Sequence, residues 1–183
     1  MTRNEAWQIV CEWTPTENLR KHMLSVEAAM RFYAEKAGED PEEWGTVGLL
    51  HDFDYERYPT AEDHPMRGVE YLRLLGVAEH WLEAILAHAS YTGVEPKTAM
   101  AKALVACDEL TGLITAAVYV LPSRKLADLK ASSVQKRMKE VGFARRVNRE
   151  DIIRGSELLG IPLEDHIVNV ITAMRRVSDD LGL

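Results

Sequence analysis

Signals that begin and end helices recur along this 183-residue chain and constrain its fold more than any other feature. Thr14-Pro15, Asp40-Pro41 and His64-Pro65 each place a proline where it suits the first position of a helix. Gly38 and Gly76 stand where glycine commonly ends one. Helices are therefore predicted at about 1–13, 15–36, 41–51, 65–75, 78–90, 97–120, 149–159 and 163–180.

Two side chains are expected to fix helix starts. Thr14 is the predicted N-cap of the second helix, with Glu17 reaching back to complete a capping box. Ser132 is the candidate cap in the basic, polar segment 124–149. No strand pattern, internal repeat or low-complexity tract is found, and the predicted fold class is all-α.

Composition excludes several classes of partner. The formal net charge of −7 argues against general affinity for nucleic acid or anionic membranes, since both attract basic surfaces. The most apolar run, 113–121, is too short to span a bilayer. Neither a signal-peptide pattern nor a disulfide framework is visible, with only Cys11 and Cys107 present. A cytoplasmic location is expected, with a small-molecule substrate.

Polar side chains interrupt the apolar faces of three predicted helices. His22, His88 and Asp108 each lie three, four or seven residues from apolar neighbours and are expected to point inward. A carboxylate in such a position is costly to bury without a partner. The dipeptide His51-Asp52 ends another helix, and His64 opens the next.

This combination of four histidines and two aspartates indicates a metal site. A single inward histidine is more often a hydrogen-bonded core residue, but six such residues would each need a buried partner. Nitrogen and oxygen donors without a thiolate favour Fe, Mn, Zn, Co or Ni. His80 and His166 fall outside the pattern and are expected at the surface or at a helix cap.

The order His22, His51-Asp52, His64, His88, Asp108 resembles the HD superfamily of metal-dependent phosphohydrolases. The informative segments lie at 48–56, 64–68, 85–88 and 107–114, and the resemblance covers roughly 18–120. It implies an HD-domain helical bundle with additional C-terminal helices. The whole chain, 1–183, would form one domain, with a core at about 18–120 and a helical extension at 123–183.

The resemblance also implies roles for the six residues. One metal would be bound by His22, His51, Asp52 and Asp108, as in the family. A second would be held by His64 and His88, with the Asp52 carboxylate bridging; simpler members bind one metal only. Asp52, His64 and His88 are therefore the expected catalytic residues. Each histidine should be oriented by an acceptor behind it, for which Glu27, Asp54 and Glu109 are the candidates.

The implied activity is hydrolysis of a phosphate ester or anhydride of a small, nucleotide-like substrate. Arg67, one turn after His64, is the first candidate to bind its phosphate, and Lys125 is the second. Some family members carry a lysine shortly after the His-Asp pair; Asp54, Tyr55 and Glu56 occupy that region here, so analogies with the substrates of those members do not transfer.

Two other functions remain open at the level of the sequence. A few proteins of this fold use the same six ligands to hold two irons and oxidise a C–H bond with O₂, and the ligand set does not separate the two chemistries. A non-catalytic metal-binding module is the third alternative, although degenerate members usually lose ligands and all six are present here. The oligomeric state is not indicated.

Overall fold

A computed structural model describes residues 1–140 and 142–183, and its regular elements are all helical within those ranges. The α-helices, in chain order, are α1 (Arg3–Trp13), α2 (Glu17–Ala37), α3 (Pro41–Leu50), α4 (Met66–Leu74), α5 (Glu79–His88), α6 (Ala99–Tyr119), α7 (Ala131–Met138), α8 (Arg149–Leu159), α9 (Leu163–Arg175) and α10 (Ser178–Leu181). Short 3₁₀ turns lie at Ser90–Thr92 and Leu126–Asp128. The all-α prediction is confirmed.

Several predicted helix ends are confirmed by their local geometry. Asp40 caps α3 and accepts a hydrogen bond from the Glu42 amide at 2.8 Å, with Pro41 at the first helical position. Gly38 follows α2 with φ +73°, and Gly76 follows α4 with φ +77°, a left-handed conformation that favours glycine.

Two predicted caps are wrong. Helix α2 begins at Glu17, and Thr14 belongs to the end of α1, where its buried hydroxyl donates to the Phe53 carbonyl at 3.0 Å. The Thr14 hydroxyl therefore donates to a carbonyl far away in the sequence. As an N-cap, it would instead have accepted a hydrogen bond from an amide at the start of α2. Ser132 lies inside α7, which begins at Ala131 and has no side-chain cap.

Close approach between helices positions α3 against α2 and α8 against α6. Helix α2 packs against α3, α6 and α9, and α6 also packs against α5 and α8. A Cβ atom at Gly48 would lie 2.9 Å from Met30 Cγ, and one at Gly155 would lie 2.5 Å from Ala106 Cα. The α2–α3 and α6–α8 contacts therefore require glycine, because any side chain would force the helices apart.

The C-terminal helices belong to the same hydrophobic core as the rest of the bundle. Ile152 of α8 and Ile167 and Val170 of α9 are fully buried in it. None of the helices in the described residues is both long and apolar enough to cross a membrane.

His166 lies in this core, so the predicted surface or cap position is wrong. Its Nε2–H donates to the Ala106 carbonyl at 2.8 Å, which leaves Nδ1 to accept from the Tyr33 hydroxyl at 2.6 Å. Burial lowers the pKa of His166 to about 4, so the imidazole is neutral at neutral pH. His80 is exposed, as predicted, and contacts Glu43 at 2.8 Å.

The α6–α8 contact predicts opposite effects of alanine at two helical glycines. Gly155→Ala should lower the free energy of unfolding by about 1–3 kcal/mol, because the methyl group has no room against Ala106. At Gly112 the nearest atom to an added Cβ is 3.9 Å away, so Gly112→Ala should be neutral or stabilise by up to ~1 kcal/mol. Chemical denaturation of both variants provides the comparison; equal effects would contradict the tight contact.

Candidate metal centre

The Asp52 carboxylate lies at the centre of four imidazoles. Its Oδ2 is 3.7 Å from His22 Nε2 and 3.5 Å from His51 Nε2. Its Oδ1 is 3.3 Å from both His64 Nε2 and His88 Nε2. Each oxygen therefore faces a different pair of histidines, which is the arrangement of a carboxylate shared between two sites.

Asp108 completes the first of these groups. From the middle of α6 its Oδ1 lies 3.0 Å from His22 Nε2 and 3.4 Å from His51 Nε2. His22, His51, Asp52 and Asp108 each offer one donor atom within 4.8 Å of the others, and so do Asp52, His64 and His88. Donors at this spacing can surround an ion bound at about 2 Å from each.

Two of the histidines are oriented by backbone carbonyls at helix ends. His51 Nδ1 contacts the Gly48 carbonyl at 2.7 Å, and His88 Nδ1 contacts the Ile85 carbonyl. A carbonyl only accepts, so each Nδ1 carries the hydrogen and each Nε2 presents a lone pair to the centre. Both imidazoles are held in the tautomer that a metal ligand needs.

The other two histidines are oriented by side chains. His64 Nδ1 contacts Asp54 Oδ1 at 2.7 Å, and the other Asp54 oxygen accepts the Gly68 amide at 2.8 Å. A Cβ at Gly68 would lie 2.7 Å from Asp54 Cγ, so only glycine admits this contact. His22 Nδ1 lies 3.4 Å from the Thr111 hydroxyl, which itself donates to the Asp108 carbonyl and is free to accept.

One of the three predicted acceptors is thus confirmed, and it is Asp54. Glu27 is paired instead with Arg3 and Arg31, at 2.6 and 3.0 Å. Glu109 accepts the Asn148 amide at 3.1 Å rather than an imidazole. Burial and the neighbouring Asp108 raise its pKa to about 7.

The carboxylates of Asp52 and Asp108 favour positive charge on the groups around them. Burial opposes protonation of His51, but Asp52 and Asp108 raise its pKa well above the usual range. The same holds for His64: burial lowers its pKa, but Asp52 and Asp54 outweigh burial and raise the pKa to about 9. Burial likewise opposes ionisation of Asp52 and Asp108, yet the imidazoles hold both pKa values below the usual range.

A divalent cation fits this donor set. His51 Nε2 is fully buried and has no hydrogen-bond partner among the described residues, although buried polar atoms are normally paired. In the neutral imidazole the Nε2 lone pair points toward Asp52 and Asp108, so a bound cation would satisfy it and balance both carboxylates. Nitrogen and oxygen donors of this kind suit Fe, Mn, Zn, Co or Ni.

An open cavity of about 380 Å³ adjoins the cluster. Its lining consists of His22, Asp52, Tyr55, His64, His88, Ala89, Ser90, Tyr91, Val105, Asp108, Glu109, Gly112, Asn148 and Asp151. Asn148 and Asp151, at the start of α8, come from the C-terminal third of the chain. No lysine or arginine is among these lining residues.

The two residues predicted to bind the substrate phosphate are not brought to this cavity. Arg67 is exposed and paired with Asp63 at 3.0 Å and with Glu70 at 3.2 Å. Lys125 is exposed after the end of α6. Arg67 lies one turn of helix after His64, and its side chain points toward its own acidic neighbours, Asp63 and Glu70. The spacing in the sequence did not reveal this direction. Their substrate-binding role stays a prediction without support from the cavity.

The contact between Asp54 and His64 predicts a loss of metal affinity when it is removed. Asp54→Ala should weaken binding of a divalent metal by Asp52, His64 and His88 by about 10–100-fold, because His64 loses its fixed orientation. Competition with a chelator measures this without any substrate. Asp63→Ala removes a carboxylate from the same loop at the surface and should leave affinity unchanged; equal affinities in the two variants would contradict the role of Asp54.

Metal-free protein should lose stability as the pH rises from about 6.5 to about 9. His64 has a raised pKa when folded, so its protonation stabilises the fold fully below its ordinary pKa of 6.5, and this contribution is lost as the pH passes about 9. The free energy of unfolding, measured by denaturation across this range, should fall, and a saturating divalent metal should remove the decline.

Two variants test the source of this pH dependence. His64→Gln should reduce the decline, whereas His80→Gln, at an exposed histidine, should preserve it. Metal-free stability that is constant from pH 6.5 to 9 would contradict the charge balance described for the cluster.

The sequence also matches a known family at these residues. A family model described as HD domain matches residues 19–113, which is more than half of the chain and includes all six clustered residues. No curated protein and no solved structure gives a match. The match, the helical fold and the His/Asp groups agree, and the chain belongs to the HD domain family.

Proposed function

We propose that this protein is a metal-dependent phosphohydrolase that cleaves a phosphate ester or anhydride of a small substrate. The observation that carries the proposal is the Asp52 carboxylate, whose two oxygens face separate pairs of histidine nitrogens beside an open cavity. Membership of the HD domain family, which consists mostly of metal-dependent phosphohydrolases, supports it.

The side chains of this chain have distinct proposed tasks. Asp52 would contribute to both groups of metal ligands, one completed by His22, His51 and Asp108 and the other by His64 and His88. Bound divalent metals supply hydroxide at neutral pH and offset negative charge on a phosphoryl group. With two divalent cations bound, the centre would keep a net positive charge, because the four imidazoles are neutral and only two of the six ligands are anionic.

The lining of the cavity supports binding of the phosphoryl group by metal. No lysine or arginine lies among the lining residues, while Asp151 adds negative charge to the wall and Glu109, whose pKa is raised to about 7, adds more when it is ionised. A phosphate in this cavity would be repelled by the wall and attracted only by cations at the cluster. The rest of the substrate would contact Tyr55, Ser90 and Tyr91, which offer hydroxyl groups and aromatic surface.

A substrate panel on metal-loaded protein tests this proposal. Protein purified without chelators should contain a divalent metal, and it should hydrolyse at least one of a set of nucleotides and phosphomonoesters with added Mn²⁺, Co²⁺ or Ni²⁺. Asp52→Asn should lower kcat/KM by more than a hundredfold, since loss of a shared ligand should exceed the 10–100-fold effect of an orienting residue.

Asp128→Asn is the matched control, because Asp128 is exposed in the 3₁₀ turn after α6 and is not among the residues that line the cavity. Activity that survives Asp52→Asn would come from a contaminant and contradict the proposal. If the bound metal is iron, and a substrate causes oxygen uptake without release of phosphate, the protein is an oxygenase and the hydrolase proposal is wrong.

A further inference from the structure

A second cavity, of about 410 Å³, lies among α2, α3, α6, α8 and α9. Its lining consists of Tyr33, Lys36, Ala37, Trp44, Ala99, Lys102, Leu158, Leu159, Ile161 and Asn169, none of which lines the cavity at the metal cluster. The volume lies in the range of sites that bind small molecules. The two cavities are therefore separate candidates for ligand binding.

One wall of this second cavity is apolar. It is formed by Trp44, which is buried, and by Leu158, Leu159 and Ile161, which are half-buried. Partly exposed aliphatic side chains beside a large aromatic ring gain free energy when an apolar group covers them. The wall thus fits the hydrocarbon or aromatic part of a ligand.

The polar end of the cavity is fixed by a hydrogen-bond network rooted in the core. Tyr33 donates to buried His166 at 2.6 Å, and its oxygen accepts from Asn169 Nδ2 at 3.3 Å. The other atom of the amide, Asn169 Oδ1, accepts from Lys36 Nζ at 3.4 Å. The exposed Lys36 ammonium therefore contacts the outer end of a hydrogen-bond network that begins in the core.

The charges at this end lack a counter-charge. No carboxylate lies within ion-pairing distance of Lys36 or Lys102 in the described residues, and no acidic side chain lines the cavity. This contrasts with a net charge of −7 for the whole chain and with the four carboxylates of the metal-bearing cavity. Two ammonium groups at one cavity without acidic partners attract an anion.

We propose that this cavity binds a small amphipathic anion. Its negative head would lie at Lys36 and Lys102, beside the Asn169 amide, and its apolar body would cover Trp44 and the adjacent aliphatic residues. The two lysines favour a charged ligand over a neutral apolar compound. The apolar wall favours a ligand with a hydrocarbon or aromatic part over a simple inorganic anion. The site uses none of the proposed metal ligands, so it stands independently of the phosphohydrolase function.

Octanoate is the first probe, with octanamide as the isosteric neutral control and octylamine as a cationic control of equal chain length. Calorimetric titration of the full chain should show saturable octanoate binding, about tenfold or more tighter than octanamide, because charge-assisted contacts are roughly twice as strong as neutral ones. Octylamine should bind least. Octanoate should also change the fluorescence of wild-type protein, and Trp44→Phe should remove that change while Trp7, Trp13 and Trp81 remain.

The variant Lys36→Gln/Lys102→Gln should weaken octanoate binding about tenfold or more, with little effect on octanamide. Lys136→Gln/Lys139→Gln changes two exposed lysines and the net charge equally, and it should bind octanoate as the wild type does. Equal octanoate affinity in the two double variants, equal binding of all three probes, or no saturable binding at millimolar concentration would each overturn the proposal. Removal of the metal with a chelator should leave octanoate affinity unchanged.

Discussion

Two half-buried carboxylates among four imidazoles set the main physical constraint on this fold. Asp52 and Asp108 remain ionised only because positive charge, from protons or a cation, faces them. The side chains come from five separate segments of the chain, so the cluster can form only when the helices have packed. The close contact of α2 with α3 at Gly48 brings two of these segments together, and the packing of α6 against α2 adds Asp108.

The C-terminal helices complete the two cavities that this core leaves open. Helix α8 begins beside the metal cluster, where Asp151 lines the first cavity, and ends at Leu158 and Leu159, which line the second. Between them Gly155 packs directly on Ala106, two residues before Asp108. A single helix therefore forms part of an acidic cavity at one end and of a cationic, apolar cavity at the other.

The sequence predicts the helices and the converging residues well, because both follow from periodicity and from a recognisable order of polar side chains. The sequence predicts poorly which groups the individual side chains contact. Thr14 is a residue type that commonly caps helices, but its hydroxyl donates to the Phe53 carbonyl. Arg67 lies at a suitable distance along the sequence from His64 to bind a phosphate, but its side chain pairs with Asp63. His166 shares a helical face with Val170 and could have been placed inside by periodicity, yet its partner Ala106 is defined only by tertiary packing.

Backbone acceptors are the part of the site that a search for polar side chains could not find, and they have a simple origin. His51 follows the last residue of α3, and His88 is the last residue of α5. The final carbonyls of a helix have no amide partner within it, so an imidazole there can satisfy one and thereby fix its own tautomer. The same helix ends carry partial negative charge, which favours a cation beyond them. A histidine that closes a helix is thus suited to ligation by its position as well as by its chemistry.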